Sequence, residues 1–244
     1  MSVVLGVNLD HIATLRQVRG AAYPQPAHGA LICEECGVHG VTLHLREDRR
    51  HIQDYDLFEV QKVLKRCTLN MEMALNEDVI NVARRVVPHM VTLVPEKREE
   101  LTTEGGLDVK KHFDTIASLA AEFKKKGILV SLFIEPERET VRLSKESGAE
   151  YIEIHTGSYA DAADSLLQKK ELARILDAAE YAVELGLHVN AGHGLNYDNI
   201  APVLSMKGLH EVNIGHSIIS RAVFSGLKNA VLEMKDLCEK GGML

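Results

Sequence analysis

Short runs rich in Val, Ile and Leu recur along the chain, at residues 4–10, 41–46, 69–74, 90–95, 128–135, 151–156, 188–191 and 211–216. Between them, apolar residues fall at helical spacing, as at Phe58, Val60, Val63 and Leu64, and again at Ile116, Leu119, Ala120 and Phe123. Gly37, Gly127, Gly148 and Gly186 stand just ahead of the next strand-like run, where a left-handed residue commonly ends a helix. Strand alternating with helix, without a long polar linker, predicts parallel strands joined by right-handed crossovers. Eight such units in 244 residues approach the roughly 250 residues of one closed (β/α)8 barrel. The expected fold is therefore α/β, a TIM barrel forming a single catalytic domain over residues 1–244 with a few extra helices. No G-x-G-x-x-G follows the first run, which removes the main support for a dinucleotide-binding sheet.

The polar residues gather late in the strands. Side chains two apart on a strand share a face, which pairs Asn8 with Asp10, His44 with Arg46, Asn70 with Glu72, and Glu153 with His155. His193 and His216 follow the seventh and eighth runs. A single such pair is as readily a structural ion pair as a functional one. Six strands placing polar groups at their carboxyl ends point to the end where barrel enzymes build active sites. His28, His39, His89, His112, His188 and His210 lie in helices, loops or strand starts and are read as surface or hydrogen-bonded histidines.

Two segments suit phosphate. Asn190-Ala191-Gly192-His193-Gly194 follows the seventh run, and Asn213-Ile214-Gly215-His216-Ser217 leads from the eighth into a helix. Glycines let backbone N–H groups approach an anion, and a helix N-terminus offers unsatisfied donors. A second polar cluster, Arg46 to His51, follows the second run, with strand alternation turning Arg46 inward beside His44. The loop from Pro95 to Gly106 carries hydroxyls and glycines that suit a lid over a second anion.

Composition narrows the partners. Tryptophan is absent, aromatics are 5% and the net charge is −7, which argues against nucleic acid. No run of about 18 apolar residues predicts a membrane span, and no leader precedes the first strand-like run, so the expected location is cytoplasmic. Four cysteines in so long a chain suit reduced thiols. Cys33 and Cys36 form a C-x-x-C inside an apparent helix, residues 27–37, with no second pair to complete a zinc site. We read that pair as structural.

Longer blocks carry a resemblance. Gly6-Val7-Asn8-Leu9-Asp10-His11-Ile12-Ala13-Thr14-Leu15-Arg16, His44-Leu45-Arg46-Glu47-Asp48-Arg49-Arg50-His51-Ile52 and Asn70-Met71-Glu72-Met73 resemble the pyridoxine 5′-phosphate synthase family. So do Leu93-Val94-Pro95-Glu96-Lys97-Arg98, Thr102-Thr103-Glu104-Gly105-Gly106, Glu153-Ile154-His155-Thr156-Gly157 and the two glycine-containing segments above. The resemblance implies ring closure between 1-deoxy-D-xylulose 5-phosphate and 3-amino-2-oxopropyl phosphate, without cofactor or metal. It implies that Glu72 and His44 accept protons, His193 donates one and Glu153 stabilises charge. Asp10, His11, Arg46, His51 and Thr102 would hold the deoxyxylulose phosphate, and Asn8, Arg19, Gly194, Gly215 and His216 the amino ketone phosphate. It further implies a homo-octamer built as a tetramer of dimers.

Two rival readings stand beside this one. A metal-dependent sugar-phosphate epimerase or lyase would use Asp10, His44, Glu72 and His193 as ligands, although these histidines are scattered singly and strand one lacks an H-x-H. A non-catalytic phosphometabolite-binding barrel would need the anion sites but no convergent acid and base groups. No lysine falls within a strand-like run, which disfavours a lysine Schiff-base aldolase.

Overall fold

The computed structural model describes residues 2–96 and 105–241. Its strands are β1 (Val4–Asn8), β2 (Gly40–His44), β3 (Thr68–Met73), β4 (Met90–Leu93), β5 (Leu129–Ile134), β6 (Tyr151–His155), β7 (His188–Gly192) and β8 (Leu209–Ile214). Each pairs in parallel with its sequence neighbours, and β8 pairs with β1 to close the barrel. Gly37, Gly127, Gly148 and Gly186 have positive φ, as helix-ending positions require.

Strand alternation divides the barrel wall into two faces. Val41 and Leu43 on β2, and Leu69 and Met71 on β3, belong to the apolar core outside the strands. The opposite face of the same strands is polar, because Thr42 and Asn70 hydrogen-bond across the barrel interior. Thr42 donates to Asn213 Oδ1 at 3.2 Å, Thr92 to Asn70 Oδ1 at 2.9 Å, and Asn213 Nδ2 to Glu153 Oε2 at 2.8 Å. A barrel interior is usually filled by layers of branched apolar side chains. Here polar groups run well below the carboxyl ends, further than the sequence pattern suggested.

Their course continues to the amino end. There His39 hydrogen-bonds to Glu211, and His210 packs edge-on against His39 with ring centroids 5.4 Å apart. These residues, with His89, Tyr151, Asn70 and Asn190, line a cavity of about 250 Å3 at the end opposite the catalytic candidates. The histidines read singly as surface or hydrogen-bonded groups thus include a convergent set. Strand starts distant in sequence meet only on barrel closure, so the local pattern could not show it.

Every strand differs from the sequence expectation by one or two residues at an end, and three of these differences bear on the site. The first run does not extend to Asp10: the Asp10 N–H donates to Asn8 Oδ1 at 2.9 Å, and Asp10 opens the helix Asp10–Arg19. A carboxylate is favoured in a first helical turn. Likewise β2 ends at His44, and Arg46 lies in the following loop. The eighth strand begins two residues earlier than read, at Leu209, and His216 opens the helix His216–Ser225. Both members of the C-x-x-C are buried free thiols, and burial pushes Cys33 up to about 12. Such a thiol stays protonated and inert, in keeping with the structural reading.

One buried ion pair fixes the loop after β2 against the first helix. Arg16, 1% exposed, forms a bidentate pair with Asp56, 2% exposed, through two contacts of 2.7 Å. The same guanidinium donates to the His51 carbonyl at 3.3 Å, while Asp56 accepts the Gln53 N–H at 2.8 Å. Removing one partner of such a pair leaves the other charge buried alone, at a cost of about 3–5 kcal/mol. Arg16→Ala is expected to lose stability on that scale in denaturant unfolding, and a loss below about 1 kcal/mol would contradict the clamp.

Candidate active site

The candidate site occupies the carboxyl end of the barrel. Parallel register sets its centre, with His44 on β2 opposite Glu72 on β3, and their Nδ1 and Oε2 3.8 Å apart. Asp10 approaches from the start of its helix. It accepts the His44 backbone N–H at 2.8 Å on one oxygen and the Asn8 amide at 2.8 Å on the other. His44 Nε2 lies 2.9 Å from Glu96 Oε1, and Glu96 also accepts the Glu47 N–H at 3.1 Å. Glu96, at the exit of β4, is a partner of the catalytic candidate that motif reading left without a role. Only the folded loop brings it to His44.

Too little water reaches these carboxyls for all to ionise. Burial pushes Glu72 well above the usual carboxylate range, and the neighbouring Glu153 and Asp10 charges add to the shift. Glu153, 3% exposed, is pushed up to about 8 by burial; the Asn213 hydrogen bond opposes the rise and Glu211 adds to it. Gly192 makes room for Glu153, since a Cβ there would stand 2.1 Å from Glu153 Oε1. Glu96 behaves oppositely. Burial raises it, but hydrogen bonds from His44 and Glu47, with the His44 and Arg46 charges, bring it below its ordinary value. The site therefore combines carboxyls shifted upward with one shifted downward.

Three of the histidines, His193, His11 and His51, lean toward neutrality. Burial lowers His193, aided by His155 and opposed by Asp161. His193 adopts a left-handed φ of 77°, a conformation sparsely populated by residues other than glycine. Burial also lowers His11 and His51, with Asp10 opposing in both cases. His11 packs against His216 with ring centroids 5.0 Å apart, and His44 against His51 at 6.0 Å.

The proposed phosphate-holding residues fall into separate places. Gly194 follows β7, and Gly215 precedes His216 at the helix start after β8. A Cβ at Gly215 would come within 2.9 Å of the Asn8 Cβ, so glycine permits that strand-end approach. Across the barrel, Arg46 is 2% exposed with its Nε 3.6 Å from Asp48 Oδ1, and the His51 ring nitrogen accepts the Ile52 N–H at 2.8 Å. Arg19 does not join either group within this chain. It ends the helix that Asp10 begins, roughly 13 Å further along the axis at 1.5 Å per residue, and is exposed. Thr102 and most of the proposed lid lie outside the described residues.

Asp10, His44 and Glu72 bring candidate ligand atoms within 4.8 Å of one another, the one such metal-competent group among the described residues. His193 is not part of it. Both Asp10 oxygens and His44 Nε2 already have protein partners, and a cation would compete with these bonds and with the Glu72 proton.

The raised Glu153 carboxyl makes stability depend on pH. The folded chain keeps this proton where the unfolded chain has released it. The contribution is fully present below about 4.5 and is lost as pH rises through about 8. Glu153→Gln keeps an acceptor for Asn213 and removes the titration. Its stability relative to wild type is expected to improve by more than about 1.4 kcal/mol between about pH 5 and pH 8.5, the equivalent of one pKa unit. A difference that stays constant across that range would contradict the assignment.

Comparison with known proteins agrees with this geometry. A family model described as pyridoxal phosphate biosynthesis protein PdxJ matches residues 5–240. The chain is 53% identical over 233 residues to the pyridoxine 5′-phosphate synthase of Geotalea daltonii, covering 96% of this chain and 97% of that protein. It is 51% identical over 235 residues to the enzyme of that name from Pseudoalteromonas translucida, covering 96% of each. In fold alone it is similar to a chain of the Amycolatopsis orientalis BexX/CysO complex, with TM-score 0.66 and 13% identity, covering 100% of this chain and 90% of that one. A match this long, across every strand of the barrel and every described element of the site, shows that the chain belongs to the PdxJ family.

Proposed function

We propose that this protein is a pyridoxine 5′-phosphate synthase. It condenses 1-deoxy-D-xylulose 5-phosphate with 3-amino-2-oxopropyl phosphate to give pyridoxine 5′-phosphate, inorganic phosphate and water in vitamin B6 biosynthesis. The observation that carries the mechanism is the raised Glu72 carboxyl beside His44 at the carboxyl end of the barrel.

The amine of one substrate attacks the ketone of the other, forming an imine between them. Dehydration, phosphate loss and aromatisation then need repeated proton transfers by groups that change charge near neutral pH. Glu72 and His44 are the acceptors in this reading. A carboxyl with a raised pKa exchanges its proton at small cost, and an arriving ammonium group favours its ionised form. His193, lowered by burial, gives up a proton readily once charged and serves as the donor. Glu153 stabilises developing positive charge when ionised. Asp10, His11, Arg46, His51 and Thr102 hold the deoxyxylulose phosphate. Asn8, Gly194, Gly215 and His216 hold the amino ketone phosphate, partly through backbone donors at the helix start after β8.

Arg19 fits this scheme only if a neighbouring copy presents it. Val18, beside it, is 80% exposed, and Phe224 on the helix His216–Ser225 is 93% exposed. Apolar side chains so exposed suit burial by a second copy, which supports a homo-oligomer, with an octamer built as a tetramer of dimers as the expected form. No described helix is long and apolar enough to cross a membrane. The buried free thiols suit the proposed cytoplasmic location.

The Asp10–His44–Glu72 group favours one other reading, the metal-dependent epimerase or lyase. A single assay separates them. With chelator present throughout, wild-type protein is expected to form pyridoxine 5′-phosphate from both substrates, and folded Glu72→Gln to turn over about 100-fold more slowly or worse. Wild-type turnover in that variant would rule out the proposed base. Activity that disappears with chelator and returns with a divalent ion would establish the metal-dependent reading.

A further inference from the structure

Glu135 belongs to no motif that carried the resemblance, yet it bonds directly into the histidine pair at the rim. Register explains why. Phe133 on β5 lies opposite Glu153 on β6, and Ile134 opposite Ile154. Continuing that pairing by one residue places Glu135 opposite His155. The two side chains meet with Glu135 Oε1 2.8 Å from His155 Nδ1. The same oxygen accepts the Gly106 N–H at 2.9 Å. His155 is 8% exposed, and its ring packs on Phe133 with centroids 5.1 Å apart. Its orientation is therefore held on two sides.

The other edge of that ring faces His193. Their centroids are 5.1 Å apart in a T-shaped arrangement. The absence of a side chain at Gly157 opens this contact, since a Cβ there would lie 2.4 Å from His155 Nε2 and 3.2 Å from His193 Cδ2. Cδ2 is bonded to Nε2 in an imidazole, so the Nε2 edges of both rings border the space left open at Gly157. A carboxylate can only accept a hydrogen bond. An ionised Glu135 thus requires the proton of neutral His155 to sit on Nδ1, leaving Nε2 as an acceptor on the edge beside Gly157, where the ring packs against His193. The hydrogen bond to His155 is the largest influence on Glu135 and lowers it, which keeps it ionised.

We propose that Glu135 is a positioning residue for the ring-forming reaction. It fixes the tautomer and orientation of His155, and through His155 it orients the His193 ring that moves the proton. This rests on the synthase reading for its kinetic consequence but not for its structural one. Orienting partners behind a functional imidazole commonly affect activity by about ten- to a hundred-fold.

The test uses folded Glu135→Gln, His155→Asn and the double variant, assayed with both substrates. Glu135→Gln is expected to lower kcat about tenfold or more while each KM stays within about twofold. The double variant is expected to lose no more than His155→Asn alone, because the carboxylate acts through that ring. Unchanged kcat, a loss confined to KM, or additive losses in the double variant would each overturn the proposal. Nitrogen NMR of the free protein reads the tautomer without any turnover. His155 is expected in the Nδ1–H form in wild type and as a mixture in Glu135→Gln, and an Nε2–H tautomer in wild type would overturn the proposal. If wild type fails to turn over the two substrates, the synthase reading fails while the tautomer measurement still decides the role of Glu135.

Discussion

A carboxyl group with little access to water is costly to ionise beside other carboxyls, and Glu72 is in that position. Its side chain is 16% exposed, with Glu153 and Asp10 close enough to raise its pKa further. The arrangement around it distributes charge in compensation. Asp10 is held by two hydrogen bonds from protein donors, Glu153 by the Asn213 amide, and Glu96 by His44. A reaction that moves several protons needs groups whose pKa lies away from the ordinary carboxylate value, and burial raises Glu72 and Glu153 in that direction.

The barrel converts this constraint into geometry. Parallel register puts His44 beside Glu72 and, three strands further round, Phe133 beside Glu153. Glycine at position 192 keeps the wall thin where Glu153 must fit. The Arg16–Asp56 pair holds the loop that carries His51, so a residue outside the site fixes one of its walls. A polar interior costs stability unless each group finds a partner. The Thr42–Asn213–Glu153 chain and the Thr92–Asn70 bond are such partners.

Much of this was legible in the sequence because it is periodic or local. Alternating runs defined the eight strands, and polar residues two apart marked their carboxyl ends. The long blocks around Asp10, His44, Glu72 and His193 then identified the family. Contacts between distant segments were not legible. Glu96 on His44, Glu135 on His155 and the histidine set around Glu211 all depend on barrel closure. Asp10 was misread as strand because its helix-opening role depends on Asn8 and on the His44 N–H from the neighbouring strand. Arg19 illustrates a different boundary, since motif position alone did not show that it ends the helix Asp10 begins and is exposed there.

The central claim is that burial beside Glu153 and Asp10 raises the Glu72 carboxyl well above the usual carboxylate range in the free enzyme. Infrared difference spectroscopy of wild type minus Glu72→Gln reads this directly, since carboxylic acid and carboxylate carbonyl bands are distinct. The account predicts a carboxylic acid band in wild type that the variant lacks and that persists as pH rises well above the usual carboxylate range of about 4.3. A Glu72 acid band that disappears within that usual range would contradict it.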